Sequence, residues 1–354
     1  MEIERDREDV RDLIADTANG IFAAIGPLAS DAARSAGESV SWFASGWDML
    51  VENGFVQAMR SEDEGGVGVA AALMIVRLSG AAALNLPLAE AMGADWLLAS
   101  AGLPPAGKPT VFASGPLAFT GVDADIRLSG TIHDVAWGRM CDLVCMGQLD
   151  GQAVITTLLR DDIVVTEALN MADEPRDSIT LDIVIDPEAI APLPDGFGPA
   201  TPQRLGAVLR AAQLAGAAQA AVDMTIGYST ERKQFGRALS RFQAVQQLVA
   251  VMAGEATAAT VAVDLAATAL AAGLPMEAVA AAKIRSSEAA GKIAAAAHQI
   301  HGAIGFTREH ALQLLTRRLW SWRNEFGTEF EWATALGRSL AARPEALWPA
   351  ITDF

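Results

Sequence analysis

From residue 203 to residue 342 the chain is written largely in helix-forming residues, alanine foremost. Alanine has the highest helix propensity. The apolar positions recur three and four apart, which gathers them on one face of a 3.6-residue helix. Leu205, Val208, Leu209, Ala212, Gly216 and Gln219 form one such stripe and predict a helix over 203–230. Val245, Leu248, Val249 and Met252 form the next, from Phe242 as far as Leu270, ended by AAGLP. A third helix covers 276–300 and stops at Gly302, and two shorter ones cover 307–322 and 328–342. Long helices joined by short loops must run antiparallel and bury their stripes against one another, so this half predicts an antiparallel helical bundle.

The rest of the chain divides in two. Residues 4–105 read as helix: Trp47, Leu50, Val51, Gly54 and Phe55 keep helical spacing until SEDEGGVGV, where Gly65, Gly66 and Gly68 break it. Helix resumes over 70–80 and 88–98. Over 110–186 the period changes. TVFA, DLVCMG, AVITTLL, DIVVTE and SITLDIVI are β-branched runs separated by turn residues, as in a small antiparallel sheet or barrel. GLPPAGKP and PEAIAPLPDGFGPATP are the linkers. The expected fold is mostly α with a β middle domain: helical over 1–107, β over 108–195, bundle over 196–354.

Charge excludes some functions. With 26 Lys+Arg against 43 Asp+Glu the net charge is −17, so no nucleic acid and no anionic membrane is expected as a partner. Cys141 and Cys145 are too few for a disulfide framework and read as small apolar fillers on one side of a strand. The charged start MEIERDREDVRDL carries no signal-peptide core, and Glu255, Asp264, Lys283 and Glu288 interrupt the alanine-rich runs, so no clean membrane span and a cytoplasmic setting are expected.

Sharp chemical signatures are few. G-x-S-x-G and H-E-x-x-H are both missing, and EGGVGV lacks the Lys-Ser/Thr of a phosphate-binding loop. His298 and His301 suit helix-end packing better than a metal, and no metal site is expected. One stretch stands apart. ERKQFGRALSRFQAVQ (231–246) gathers Arg232, Lys233, Arg237 and Arg241 within ten residues of this acidic chain. Gly236 permits a tight turn, Phe235 needs an apolar seat, and Arg232 can grip a phosphate through two N–H groups. Read from the residues alone, it is either an anion grip or a solvated helix corner.

With GWDMLVENGFVQAMRSEDEGGVGV and AHQIHGAIGFTREHALQLLTRR, this stretch resembles the acyl-CoA dehydrogenase family. The three segments are similar to its E-x-G-G-x-G turn, its R-x-x-F-G…Q motif and its Q-x-x-G-G-x-G-F segment, in the family's order. The resemblance implies an N-terminal helical domain, a β domain and a C-terminal four-helix bundle, with FAD as cofactor. It implies α,β-dehydrogenation of an acyl-CoA thioester and an electron-transfer flavoprotein or similar acceptor. It also implies a homo- or hetero-oligomer, dimer or tetramer, in which one subunit's motif completes its neighbour's flavin site. Carried over by position, Arg232, Gln234, Phe235, Gln243, Gln299, Gly302 and Thr328 would contact the flavin. Arg204, Arg210 and Arg308 are candidates to meet CoA, and Ala211, Ala212, Ala215 and Gly216 lie on the helix face that would line an acyl pocket or close a helix packing.

The chain departs from the family where the chemistry is done. The family's base is a glutamate at one of two places, and here Phe326 and Gly206 stand at both. Glu325 is the nearest substitute. The flavin-ring loop T-E-P-x-x-G-S-D is replaced by the short FASGPLAFTGVDADI. The expectation is therefore a subunit that lacks the glutamate in a heteromeric enzyme, of the kind linked to lipid or steroid breakdown. The alternatives are a self-sufficient dehydrogenase with a displaced base, or a flavin-free helical interaction protein that kept the fold.

Overall fold

The computed structural model describes residues 2–32, 39–270 and 273–343. Four helices come first: α1 (Glu2–Ala32), α2 (Ser39–Glu52), α3 (Gly68–Ala81) and α4 (Leu88–Ser100). Strands follow as β1 (Thr110–Phe112), β2 (Ala118–Val122), β3 (Asp125–Ala136), β4 (Asp142–Leu149), β5 (Gln152–Leu158), β6 (Val164–Thr166), β7 (Arg176–Ile185) and β8 (Ala191–Pro192). The last part comprises α5 (Thr201–Glu231), a short hairpin β9 (Lys233–Gln234) and β10 (Arg237–Ala238), α6 (Gln243–Leu270), α7 (Met276–His301), α8 (Leu312–Trp322) and α9 (Glu329–Ala341).

The helical order and the β middle are as expected, with the long helices starting and ending within two residues of their predicted limits. Residues 307–311 are turns rather than helix, so α8 starts late. Of the AAGLP stop, residues 271–272 lie outside the described residues. The strands form two four-stranded sheets, β1-β4-β5-β8 and β2-β3-β7-β6. One pair departs from the antiparallel expectation: β1 runs parallel to β4, Val111 opposite Leu143. A parallel pair needs a crossover, and the hairpin β2–β3, which joins the other sheet, supplies it. That hairpin lies in the stretch that reads as a trimmed loop. Cys141 sits just before β4 and Cys145 within it; both are buried free thiols, and burial pushes Cys145 up to about 12.

Helix α5 is buried nearly all round, as an apolar helix without a polar face must be. Its alanines and glycines let neighbours approach closely. A Cβ on Gly216 would lie 1.8 Å from the backbone oxygen of Arg77, and one on Gly80 2.1 Å from that of Gln213. The α3–α5 crossing therefore brings backbone onto backbone, and Gly216 serves helix packing rather than a pocket. Two helices, α5 and α6, are long and apolar enough to cross a membrane by length and composition. Only Glu255 and Asp264 are charged in α6, too few to break its apolar run. The apolar window of α5 is 89% buried inside the protein, whereas that of α6 is 22% buried, leaving Val251, Val261 and Leu265 exposed.

Candidate functional site

The residues singled out from sequence gather at the two ends of α5. At its start, Gly206 faces the turn between α8 and α9. The ring of Phe326 lies directly over it: a Cβ on Gly206 would come within 2.1 Å of Phe326 Cδ1. Phe326 adopts a left-handed backbone (φ 55°), uncommon for a bulky residue. Its ring stacks against Phe112 at 5.8 Å between centroids, and the Arg210 guanidinium lies 5.7 Å from the ring centre. The two positions at which the resemblance leads one to expect a base are thus side by side, and both are apolar.

A cavity of about 240 Å³ opens beside this pair, lined among others by Glu90, Ser114, His133, Asp134, Gln203, Asn324, Glu325 and Phe326. Behind it lies a buried network of charges. The Glu325 carboxylate accepts from Arg176 Nε at 3.0 Å and Asn170 Nδ2 at 3.1 Å, and pairs with Arg210 at 2.7 Å. Arg210 also pairs with Glu90 and donates to Gln213. Glu174 accepts from Arg176 and the Trp322 indole and forms an ion pair with Arg318. Burial alone would raise the Glu325 carboxyl; Arg176 and Arg210 more than offset it and hold it at about 2. Such an anion is a weak proton acceptor, and its oxygens are already taken. Arg210, expected as a candidate to meet CoA, is corrected here: it is 2% exposed and spent on Glu90, Gln213 and Glu325. Arg204 donates to the Leu274 carbonyl, and Arg308 is 84% exposed. This network was missed in sequence because its members come from α4, β7, α5 and α8 with their flanking turns, and no local pattern joins them.

At the far end of α5 lies the cationic stretch. Phe235 (φ 52°) and Gly236 (φ 78°) are the two left-handed residues of a tight hairpin turn, with Gln234 opposite Arg237. Arg232, Lys233, Arg237 and Arg241 are all exposed around it, and Arg237 stacks on Phe242 at 4.1 Å. Among the described residues Phe235 finds no apolar seat: the ring is 90% exposed and meets the edge of Phe242. Gln299 and Gly302 are exposed at the end of α7, and Tyr228 stacks on His301 at 4.3 Å, so the hairpin and the α7 end share one surface. A second cavity, about 350 Å³, sits there between His298, Phe306, Arg308 and Trp320. The buried Nδ1 of His298 has no hydrogen-bond partner, and burial lowers the His298 and His301 pKa values, favouring neutral rings. Among the described residues no group of three or more His, Cys, Asp or Glu converges to hold a metal.

Thr328, the last predicted flavin contact, lies at the other end. It caps α9: its hydroxyl accepts from Glu331 N and donates to the Glu331 carboxylate. Gly206 and Arg232 are 26 residues apart on one helix, so about 39 Å separate them. No extended flavin dinucleotide reaches that far. One chain therefore cannot offer both ends of α5 to the same molecule; two chains can. The exposed guanidinium cluster, the unseated Phe235 ring and the orphaned His298 nitrogen fit the phosphate and adenine part of such a cofactor.

Comparison with known proteins bears on the family and on the fold. Residues 204–329 match the family described as acyl-CoA dehydrogenase, C-terminal domain. Over 47 residues the chain is 51% identical to the probable acyl-CoA dehydrogenase FadE25 of Mycobacterium tuberculosis, a match that spans 13% of this chain and 12% of that protein. The ChsE4–ChsE5 complex from Mycobacterium tuberculosis has a chain of the same fold, with a TM-score of 0.78 at 21% identity over 93% of this chain and 98% of that one. A variant of the Tcur3481–Tcur3483 steroid ACAD gives 0.81 at 21% identity, covering 94% and 98%.

Proposed function

We propose that this chain, whose residues 204–329 match the acyl-CoA dehydrogenase C-terminal domain, is a subunit of an FAD-dependent, heteromeric acyl-CoA dehydrogenase that does not itself supply the base. The observation that carries this reading is the contact between Phe326 and Gly206. Neither residue can accept a proton, and the Phe326 ring fills the space that a side chain at 206 would need. Glu325 is a structural anion of the Arg176–Arg210 network.

FAD, when bound, supplies the acceptor for the β hydride. This chain's part is to hold it: Arg232 grips phosphate, Gln234 and Gln243 bond polar edges, and Gln299 and Gly302 approach from the α7 end. Phe235 finds its apolar seat in the other subunit. The hydroxyl of Thr328 could join only by leaving its cap. The proton is taken by a base on the partner chain, at the cavity to which this chain's hairpin is brought. The exposed apolar side of α6 covers itself against another subunit rather than lipid, in a cytoplasmic assembly. The acyl-CoA substrate is of the lipid or steroid kind suggested by the steroid ACAD similarity, and an electron-transfer flavoprotein or similar acceptor reoxidises the cofactor.

The test is a flavin-to-chain stoichiometry combined with turnover. The expected result is no dehydrogenation by the pure chain with an artificial electron acceptor, and activity with a shared flavin on co-expression with a second dehydrogenase-like chain. Dehydrogenation of acyl-CoA by the pure chain would sink the reading.

A further inference from the structure

We propose that Lys283 is a positioning residue for the loop 323–328: its side chain holds the loop backbone from inside the bundle and so sets where residue 326 lies over Gly206. Lys283 interrupts an alanine-rich stripe of α7 and is 0% exposed. Its Nζ donates to the carbonyl of Arg323 at 2.7 Å, to that of Gly327 at 2.9 Å and to Ser287 Oγ at 3.2 Å. An ammonium has three hydrogens, and all three are used. A fourth bond, from Trp332 Nε1 to the Phe326 carbonyl at 2.9 Å, turns that group inward as well.

The loop needs this support. Phe326 and Gly327 are consecutive left-handed residues, and a bulky side chain in that region persists only where its surroundings over-determine it. A Cβ at Gly327 would lie 2.7 Å from the Trp332 indole nitrogen, so the backbone is pressed against its donors. A methionine at 283 would fill the same space without burying an amine, a costly choice unless the amine has work to do. Around it, Glu325 and Glu329 favour the charged form, Arg210 and Arg323 oppose it, and Glu331 lies within its field. Burial is the largest influence. The neutral form keeps two hydrogens, enough for the two carbonyls, so the hold does not depend on the charge.

The loop is held the same way whether or not this chain turns substrate over, so its test stands apart from that of the dehydrogenase reading. Lys283→Met is compared with wild type in the full-length chain by amide hydrogen exchange. Loss of the bonds to both carbonyls should speed exchange across 322–333 by about ten-fold or more, while the centre of α5 keeps its protection. Unchanged exchange there in a folded Met variant overturns the proposal. Should that variant fail to fold, Lys283→Gln is read instead. Its amide is one bond shorter and falls short of both carbonyls: the same local rise supports the proposal, and wild-type exchange overturns it.

Discussion

Glu325→Gln separates a structural anion from a catalytic base. The substitution keeps the shape of the side chain and removes its charge. In the wild type the carboxyl sits at about 2 against an ordinary 4.5. Each tenfold change in acidity is worth ~1.4 kcal/mol, so ionised Glu325 contributes about 3 kcal/mol to stability. Removing one partner of a buried pair costs roughly 3–5 kcal/mol. The lower end applies, because Arg176 keeps Glu174 at 3.1 Å and Arg210 keeps Glu90. The sign with pH follows from a depressed carboxyl: the contribution is complete above pH 4.5 and is lost as pH falls through about 2. Denaturant unfolding should therefore find the variant less stable by about 3 kcal/mol at pH 7, and by only about 1 kcal/mol at pH 3. A variant as stable as wild type at pH 7, or a gap that does not narrow in acid, refutes the ion-pair account. Full stability with lost activity of the assembly would return Glu325 to the role of base.

Three further outcomes are expected. Arg232→Ala should lower flavin occupancy of the assembly, read as flavin absorbance per chain, while the unfolding midpoint of the chain alone stays unchanged because the side chain is exposed. Gly216→Ala, whose Cβ would meet the Arg77 carbonyl at 1.8 Å, should destabilise by roughly 1–3 kcal/mol through overpacking at the α3–α5 crossing, visible as a lower melting temperature. Leu265→Asp puts a charge on the 66%-exposed apolar side of α6; it should leave the fold intact and shift the assembly toward monomer in analytical ultracentrifugation.

Much of the architecture can be read directly from local periodicity. Helices α5, α6 and α7 announce themselves because alanine, leucine and valine repeat every three to four residues, and β4, β5 and β7 because β-branched residues cluster between turns. The hairpin β2–β3 is not plain in the sequence, although Ile126, Leu128 and Ile132 alternate and are buried on one side. Gly121, Gly130 and the intervening aspartates give the stretch the look of a loop. The hairpin of Phe235 and Gly236 was legible as a turn, but the exposure of its ring was not, since exposure depends on what else packs there.

The sequence by itself determined the helix–β–helix order, the cationic turn and the absence of glutamate at positions 206 and 326, because each is a matter of residue type at a given spacing. Tertiary structure alone decided that Gly206 and Phe326 are one contact, that Glu325 belongs to Arg176 and Arg210, and that Lys283, a charge in an apolar stripe, is a buried donor to a distant turn. These pairings join residues 40 to 149 positions apart. Chain spacing carries no record of them; they arise only when α5, α7, β7 and the α8–α9 turn are folded onto one another and every buried polar group must find a partner.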